Sequence, residues 1–324
     1  MHCDTIYRLL CRKDRGENVE LRENTGHIDL LRMRRSNYLL QNFAMFVELD
    51  CDGDPWERVC RLLDFYGQEL EANRDLIAPV LKFSDIAANE AAGKMSSLLT
   101  VEEGAVCKGE LEKLQTLYGR GVRMITITWN FPNELGYPNM DRKNQDFLHT
   151  PNLKDGLTEK GKEFVSEMER LGIIPDVSHL SDAGFYDVLQ VTKKPFVASH
   201  SDARAVCPNV RNLTDDMIRK LAERGGCMGL NYCADFLEEV PAGQKNPGTI
   251  EAVVRHAKHI ANVGGVGVLG LGSDFDGIDT HEELRGAHSM EKLWDALKAG
   301  GFTESQLDDI FWKNVLRVYG DTLR

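Results

Sequence analysis

Seven short runs along the chain are apolar almost without interruption: NFAMFVEL (42–49), SLLTVEEG (97–104), RMITITWN (123–130), GIIPDVSH (172–179), PFVASH (195–200), CMGLNY (227–232) and VGVLGLGSDFDG (266–277). Runs of this length that do not alternate with polar residues suit parallel strands buried on both faces. Between them, apolar residues recur at helical spacing. DPWERVCRLLDFYGQELEANRD opens on an acidic cap, and LTEKGKEFVSEMERLG has Thr158 as its cap and Gly172 as its stop. LTDDMIRKLAERGG, PGTIEAVVRHAKHIANVGG and TESQLDDIFWKNVLRVYG repeat the pattern. With MHCDT as an eighth strand, the 324 residues divide into βα units of about 40. This predicts a (β/α)8 TIM barrel forming one domain over 1–324. An open doubly wound sheet is the alternative. It would carry a glycine-rich phosphate loop after the first strand, and no G-x-G-x-x-G stands there. VGGVGVLGLG enters a strand instead of opening a helix, and reads as turn and close packing.

Composition narrows the function. Hydrophobic residues are 42%, charged residues 28% and the formal net charge is −12. An acidic surface argues against nucleic acid or anionic lipid as partner. No apolar run approaches the ~18 residues of a membrane span, and the N-terminal region passes directly into the charged RLLCRKDR, so a cytoplasmic protein is expected. None of the eight cysteines forms a CxxC pair. They read as reduced thiols, several of them small core residues.

Chemistry gathers at the strand ends. SLLTVEEG ends in Glu102-Glu103-Gly104, DVSH in His179, VASH in His200 and GLGSDFDG in Asp274 and Asp276. In a barrel these ends converge on one mouth. Two histidines ending successive strands in the same manner point to a metal, since neutral imidazole is a good zinc ligand. One glutamate adds a carboxylate, and alternation turns only one of Glu102 and Glu103 inward. Two His-x-Asp triplets, His2-Cys3-Asp4 and His27-Ile28-Asp29, could each offer a ligand pair from one face. The second follows the polar loop ENTG and reads as a turn or structural pair.

MHCDT, the Glu-Gly of TVEEG, TITWN, DVSH, VASHSDARAVCPNVRN, GLGSDFDG and KNVLRV occur here in the order found in the renal (membrane) dipeptidase family. The resemblance runs from residue 1 to about 319, and the chain resembles the bacterial-type members of this binuclear zinc branch of the amidohydrolase-like barrels. It implies that the ligand triplet is His2-Cys3-Asp4. One Zn2+ would then be held by His2, Asp4 and Glu103, and a second by Glu103, His179 and His200, with Glu103 as the bridge. A metal-bridging hydroxide would attack the scissile carbonyl of a dipeptide, including dipeptides with a C-terminal D-residue. Asp274 would carry the proton to the leaving amine, Arg211 of VRN would pair with the substrate carboxylate, and Asn130 and Asn133 would contact the substrate. The partner is a small peptide, with no nucleic acid and no membrane, and relatives imply a homodimer. The segment 133–155, polar and punctuated by Pro and Gly, is expected to be a lid or rim loop.

Two departures from the family pattern stand out. Members carry apolar residues ahead of the His-x-Asp, whereas only Met1 stands there; a short first strand is expected to weaken the site carrying His2 and Asp4. Trp129 occupies the position of a catalytic histidine in renal-type members, so that imidazole's role does not transfer. The competing readings are a related metal-dependent barrel hydrolase for another amide, a lactone or an ester, and a non-catalytic binding barrel.

Overall fold

The computed structural model describes residues 1–141, 146–241 and 246–324. Strands β1 (Leu40–Phe46), β2 (Ile77–Pro79), β3 (Met95–Glu102), β4 (Val122–Thr126), β5 (Ile174–Asp176), β6 (Val197–Ala198), β7 (Cys227–Asn231) and β8 (Leu269–Ser273) form one parallel sheet. The hydrogen-bonded order is β1-β3-β4-β5-β6-β7-β8, with the short β2 paired to the start of β3 outside that path. The N-terminal residues join the two ends. Asp4 N–H donates to Phe275 O at 2.9 Å and Ala44 N–H donates to Cys3 O at 3.0 Å, while the Met1 amine bonds Leu271 O. Residues 1–4 therefore fill the gap between β8 and β1, and the curled sheet is a TIM-like barrel of seven strands closed by this segment. The sequence pattern did not predict β2, nor the helix Thr5–Asp14 that follows the N-terminal segment at once.

Helices begin where their caps dictate. Thr158, Thr214 and Thr249 each accept a backbone N–H in the first turn of the helices Glu159–Leu171, Asp215–Glu223 and Ile250–Gly264. Such a cap contributes about 1 kcal/mol to a helix terminus. The first of these helices stops at Gly172, whose φ of 87° lies in the left-handed region that glycine reaches without a Cβ penalty.

Alternation along the strands sorts side chains into two layers. Phe43, Met45, Leu99, Val101, Ile125 and Met228 pack outward against the helices. Leu98, Met124, Ile174, Val197 and Cys227 face inward and pack with Val315, Val318 and Tyr319 of the helix Asn314–Thr322. The polar residues one step further along the inward rows stand at the C-terminal ends of the strands, above this apolar plug. Of the expected lid segment, residues 142–145 lie outside the described residues. The rest is tied to the rim by an Asn139 N–H bond to His179 O (2.8 Å) and an antiparallel bridge between Pro138 and Leu180.

Candidate metal centre

β3 ends on Glu102, in register with Phe46 of β1 and Thr126 of β4. Its side chain continues the inward row of Leu98 and Thr100. One Glu102 oxygen, Oε1, lies 3.1 Å from His179 Nε2 and 3.5 Å from His200 Nε2. The other, Oε2, lies 3.2 Å from His2 Nε2, and Asp4 Oδ2 stands 3.4 Å from the same nitrogen. Asp274 Oδ1 is 3.9 Å from it. His2, Asp4, His179, His200 and Asp274, expected from the sequence to meet, are thus brought to one buried cluster.

Glu103 is not in that cluster, and the expectation that it bridges two ions is corrected by its placement. Its backbone turns to φ 108° and its carboxylate points away, accepting from Ala105 N–H (2.8 Å), Trp129 N–H (3.0 Å) and the Asn133 amide (2.5 Å). Burial pushes its carboxyl up to about 7 against these three donors. Glu103 clamps the end of β3 to the loop after β4, while Glu102 takes the inward position. Asn133 is likewise occupied within this loop, donating also to Ile127 O at 2.9 Å.

The surroundings settle the imidazole tautomers. Ser199 Oγ donates to Asp176 Oδ2 (2.5 Å), so its oxygen accepts from His200 Nδ1–H at 2.7 Å. His179 Nδ1–H donates to Asn130 Oδ1 at 2.8 Å. Both Nε2 atoms are therefore lone-pair acceptors, yet they face each other at 3.0 Å. Burial holds both rings well below the usual histidine range, reinforced at His179 by Arg211 and at His200 by the neighbouring His2 and then Arg211. Burial also disfavours a charged His2, but the Glu102 and Asp4 carboxylates outweigh it and raise His2 well above that range. Burial lifts Asp4 to about 6 and Asp274 to about 7.

These features fit a cation. Two facing lone pairs repel unless something positive lies between them, and outer partners that protonate Nδ1 are the usual way of aiming Nε2 at a metal. Among the described residues, His2 Nε2 and Asp4 Oδ1 are buried with no hydrogen-bond partner of good geometry, although acceptors stand near the former. The donor atoms of His2, Glu102 and His200, and those of His2, Asp4 and Asp274, each lie within 4.8 Å of one another. Three carboxylates crowded into one buried space without a cation would be costly.

A cleft of about 380 Å³ opens over the cluster, lined by Tyr7, Phe46, Trp129, Asn130, Phe236 and Ile278 among others. Trp129 packs edge-on to Phe46 (5.0 Å between ring centres) and lies 6.1 Å from His179, forming an aromatic wall. Arg211 is buried beside the His200 loop, within 3.3 Å of His200 O and 5.3 Å from the Phe236 ring centre. Its Nε has no hydrogen-bond partner among the described residues. Asn130 lines the cleft, with its amide oxygen taken by His179. Sequence reasoning missed the supporting residues Asp176, Ser199 and Asn231. The first two stand inside DVSH and VASH: Ser199 immediately precedes His200, and Asp176, three residues before His179, holds Ser199 in place. Asn231 donates to Asp274 Oδ2 at 3.0 Å.

The fold has close parallels among known proteins. The dipeptidase AC, a metallopeptidase of family M19, superposes with a TM-score of 0.89 at 26% identity, covering 99% of this chain and 97% of that one. A Rhodobacter sphaeroides metallopeptidase, solved with a phosphinate mimic of the dipeptide L-Ala-D-Ala, gives 0.87 at 26% identity over 99% and 97%. An uncharacterised dipeptidase of Schizosaccharomyces pombe is 33% identical over 317 residues, 92% of this chain and 73% of its own length. A protein from the pqqA 5′ region of Klebsiella pneumoniae is 32% identical over 267 residues, 82% of this chain and 96% of its own. The family model of the membrane dipeptidases matches residues 1–323. From end to end, then, this chain belongs to the membrane dipeptidase family, peptidase family M19, and is a metal-dependent dipeptidase.

Proposed function

We propose that the protein is a binuclear zinc dipeptidase acting on short L,L and L,D dipeptides, with Glu102 as the bridging carboxylate. The observation that carries the two-ion reading is the division of Glu102. One oxygen serves the His179/His200 pair, and the other faces His2 beside Asp4. Nitrogen and carboxylate donors in this mixture suit zinc. When bound, the two ions supply an acidified water as nucleophile and a Lewis acid for the scissile carbonyl.

The chain's own residues do the rest. Asp274 accepts the nucleophile's proton at Oδ1, because Asn231 occupies Oδ2, and delivers it to the leaving amine. Arg211 pairs with the substrate's terminal carboxylate through its planar guanidinium. The wall of Tyr7, Phe46 and Trp129 excludes water from the bond being cleaved. The stereochemical part of the proposal draws on the R. sphaeroides relative, whose bound mimic is of L-Ala-D-Ala. The homodimeric state and cytoplasmic compartment remain part of the proposal on sequence grounds. The structure adds only that no helix among the described residues is long and apolar enough to cross a membrane.

The test is release of free amino acids from L-Ala-L-Ala and L-Ala-D-Ala, before and after chelation and after zinc is restored. Hydrolysis of both that is lost on chelation and regained at two zinc equivalents is expected. Hydrolysis indifferent to chelator, or restored in full by one equivalent, would overturn the binuclear reading.

Arg211→Met gives a second expected outcome. KM for dipeptides should rise by about 10–100-fold, as for loss of a charge-assisted contact of about 1.5–3 kcal/mol. C-terminally amidated analogues should change little. Equal losses on both substrates would rule out the carboxylate contact.

A further inference from the structure

The second His-x-Asp triplet takes no part in the ion cradle, yet it is built into the turn that carries Asp274. Asp276 has a fully buried side chain and accepts four bonds from two separate segments. His27 N–H donates to Oδ1 at 2.7 Å and Ile28 N–H to Oδ2 at 3.3 Å. Thr5 Oγ1 donates to Oδ2 at 2.6 Å, and Arg8 Nη1 to Oδ1 at 3.2 Å. The bond is returned, for Asp276 N–H donates to His27 Nδ1 at 2.9 Å. His27 and Asp276 thus clasp each other through backbone and side chain in both directions. The same carboxylate reaches Thr5, the neighbour of Asp4.

The clasp is braced from behind. Asp29 caps the helix Leu30–Arg35 and accepts from Arg32 Nε at 2.6 Å, and Arg32 also bonds Gly26 O at 2.6 Å. Ala287 N–H donates to His27 O at 3.1 Å, and Gly286 leaves no room for a Cβ there, since one would lie 2.1 Å from that oxygen.

The turn needs such bracing. Ser273, Asp274 and Asp276 have φ of 33°, 65° and 70°, all in the left-handed region. Each such residue costs on the order of 1–2 kcal/mol and persists only where its surroundings over-determine it. The turn also packs directly on the site: a Cβ at Gly277 would meet Asp4 Oδ2 at 2.1 Å and Asp274 Oδ1 at 2.7 Å. A small shift of the turn therefore moves Asp274 relative to Asp4.

We propose that His27 and Asp276 are a positioning pair that holds the Asp274 carboxyl in register with the His2-Asp4 side of the metal centre; this rests on Asp274 being the proton carrier. His27 acts here as a hydrogen-bond acceptor and not as a ligand. Asparagine, whose Oδ1 can take the place of Nδ1, preserves the clasp, and alanine does not.

The experiment compares His27→Ala, His27→Asn, Asp274→Asn and the His27→Ala/Asp274→Asn double variant as zinc-loaded full-length enzymes. Folding is checked by thermal melts and zinc content by elemental analysis. His27→Ala should lower kcat by about 10–100-fold, the range for a misplacement of the order of an ångström, with KM within about threefold of the parent and both zinc equivalents kept. His27→Asn should recover most of the loss. In the Asp274→Asn background, His27→Ala should cost almost nothing more. Gly26→Ala presses on the clasp from the backbone side, because its Cβ would lie 2.6 Å from Asp276 Oδ1, and should reproduce the kcat effect even if His27→Ala folds poorly. Parental kcat in both His27→Ala and Gly26→Ala would overturn the proposal. So would equal losses in the Ala and Asn variants, or a His27→Ala loss that adds in full to that of Asp274→Asn. Parental kcat in Asp274→Asn itself would overturn the role assigned to Asp274, a result separable from the behaviour of His27.

Discussion

Glu102→Gln is expected to strip the protein of zinc and of activity, whereas Glu103→Gln keeps both. Only Glu102 lies among the three imidazoles, with its two oxygens aimed at different members of the set. An amide there removes the single negative charge that two dications would share and presents an N–H group to one of them. The drop in zinc affinity should exceed the ~10–100-fold typical of losing an outer partner of a ligand. Glu103 is different in kind. Its carboxylate satisfies Ala105 N–H, Trp129 N–H and the Asn133 amide, so glutamine turns one of these contacts into donor against donor. That costs about 1–3 kcal/mol of folding stability. Elemental analysis and thermal melts of the two variants decide the matter. Two zincs retained in Glu102→Gln, with loss in Glu103→Gln, would reverse the assignment.

The second large effect is on turnover with the metal centre intact. Asp274→Asn should retain two zinc equivalents and a melting temperature close to the parent, because the new amide oxygen can still accept from Asn231. Its kcat should fall by about 10²–10⁴-fold, the usual contribution of a positioned acid–base group, with KM within about threefold. Measured kcat equal to the parent's would exclude Asp274 as the proton carrier. Loss of zinc in step with kcat would reassign it as a ligand.

How legible was this in the sequence? The parallel strands could be read because residues buried on both faces of a sheet form unbroken apolar runs. Thr158 and Gly172 marked their helix ends because caps are local chemistry. His179 and His200 could be placed together because barrel closure brings strand ends to one mouth whatever the loops between them. The same unbroken apolar character hid the choice between Glu102 and Glu103. A strand buried on both faces has no polar alternation, so nothing in TVEEG reports which parity faces the axis. The structure decides it through the inward row Leu98-Thr100-Glu102 and through the left-handed backbone at Glu103. The position of the N-terminal segment is also a tertiary matter. Backbone bonds to Phe275 and Ala44 place it between two neighbouring strands, and the His2 and Asp4 side chains are buried, His2 beside Glu102.

Local order along the chain is enough to determine seven of the strands, the helix caps and the histidine-bearing strand ends, since each depends on neighbours a few residues away, whereas the three-residue β2 is too short to leave such a pattern. The tautomers of His179 and His200, the placement of Glu102 between the three imidazoles and the joining of the His27 triplet to the Asp274 turn were decided only by tertiary structure. Each depends on hydrogen bonds between residues far apart in sequence, and no periodicity encodes the partner of a buried polar atom.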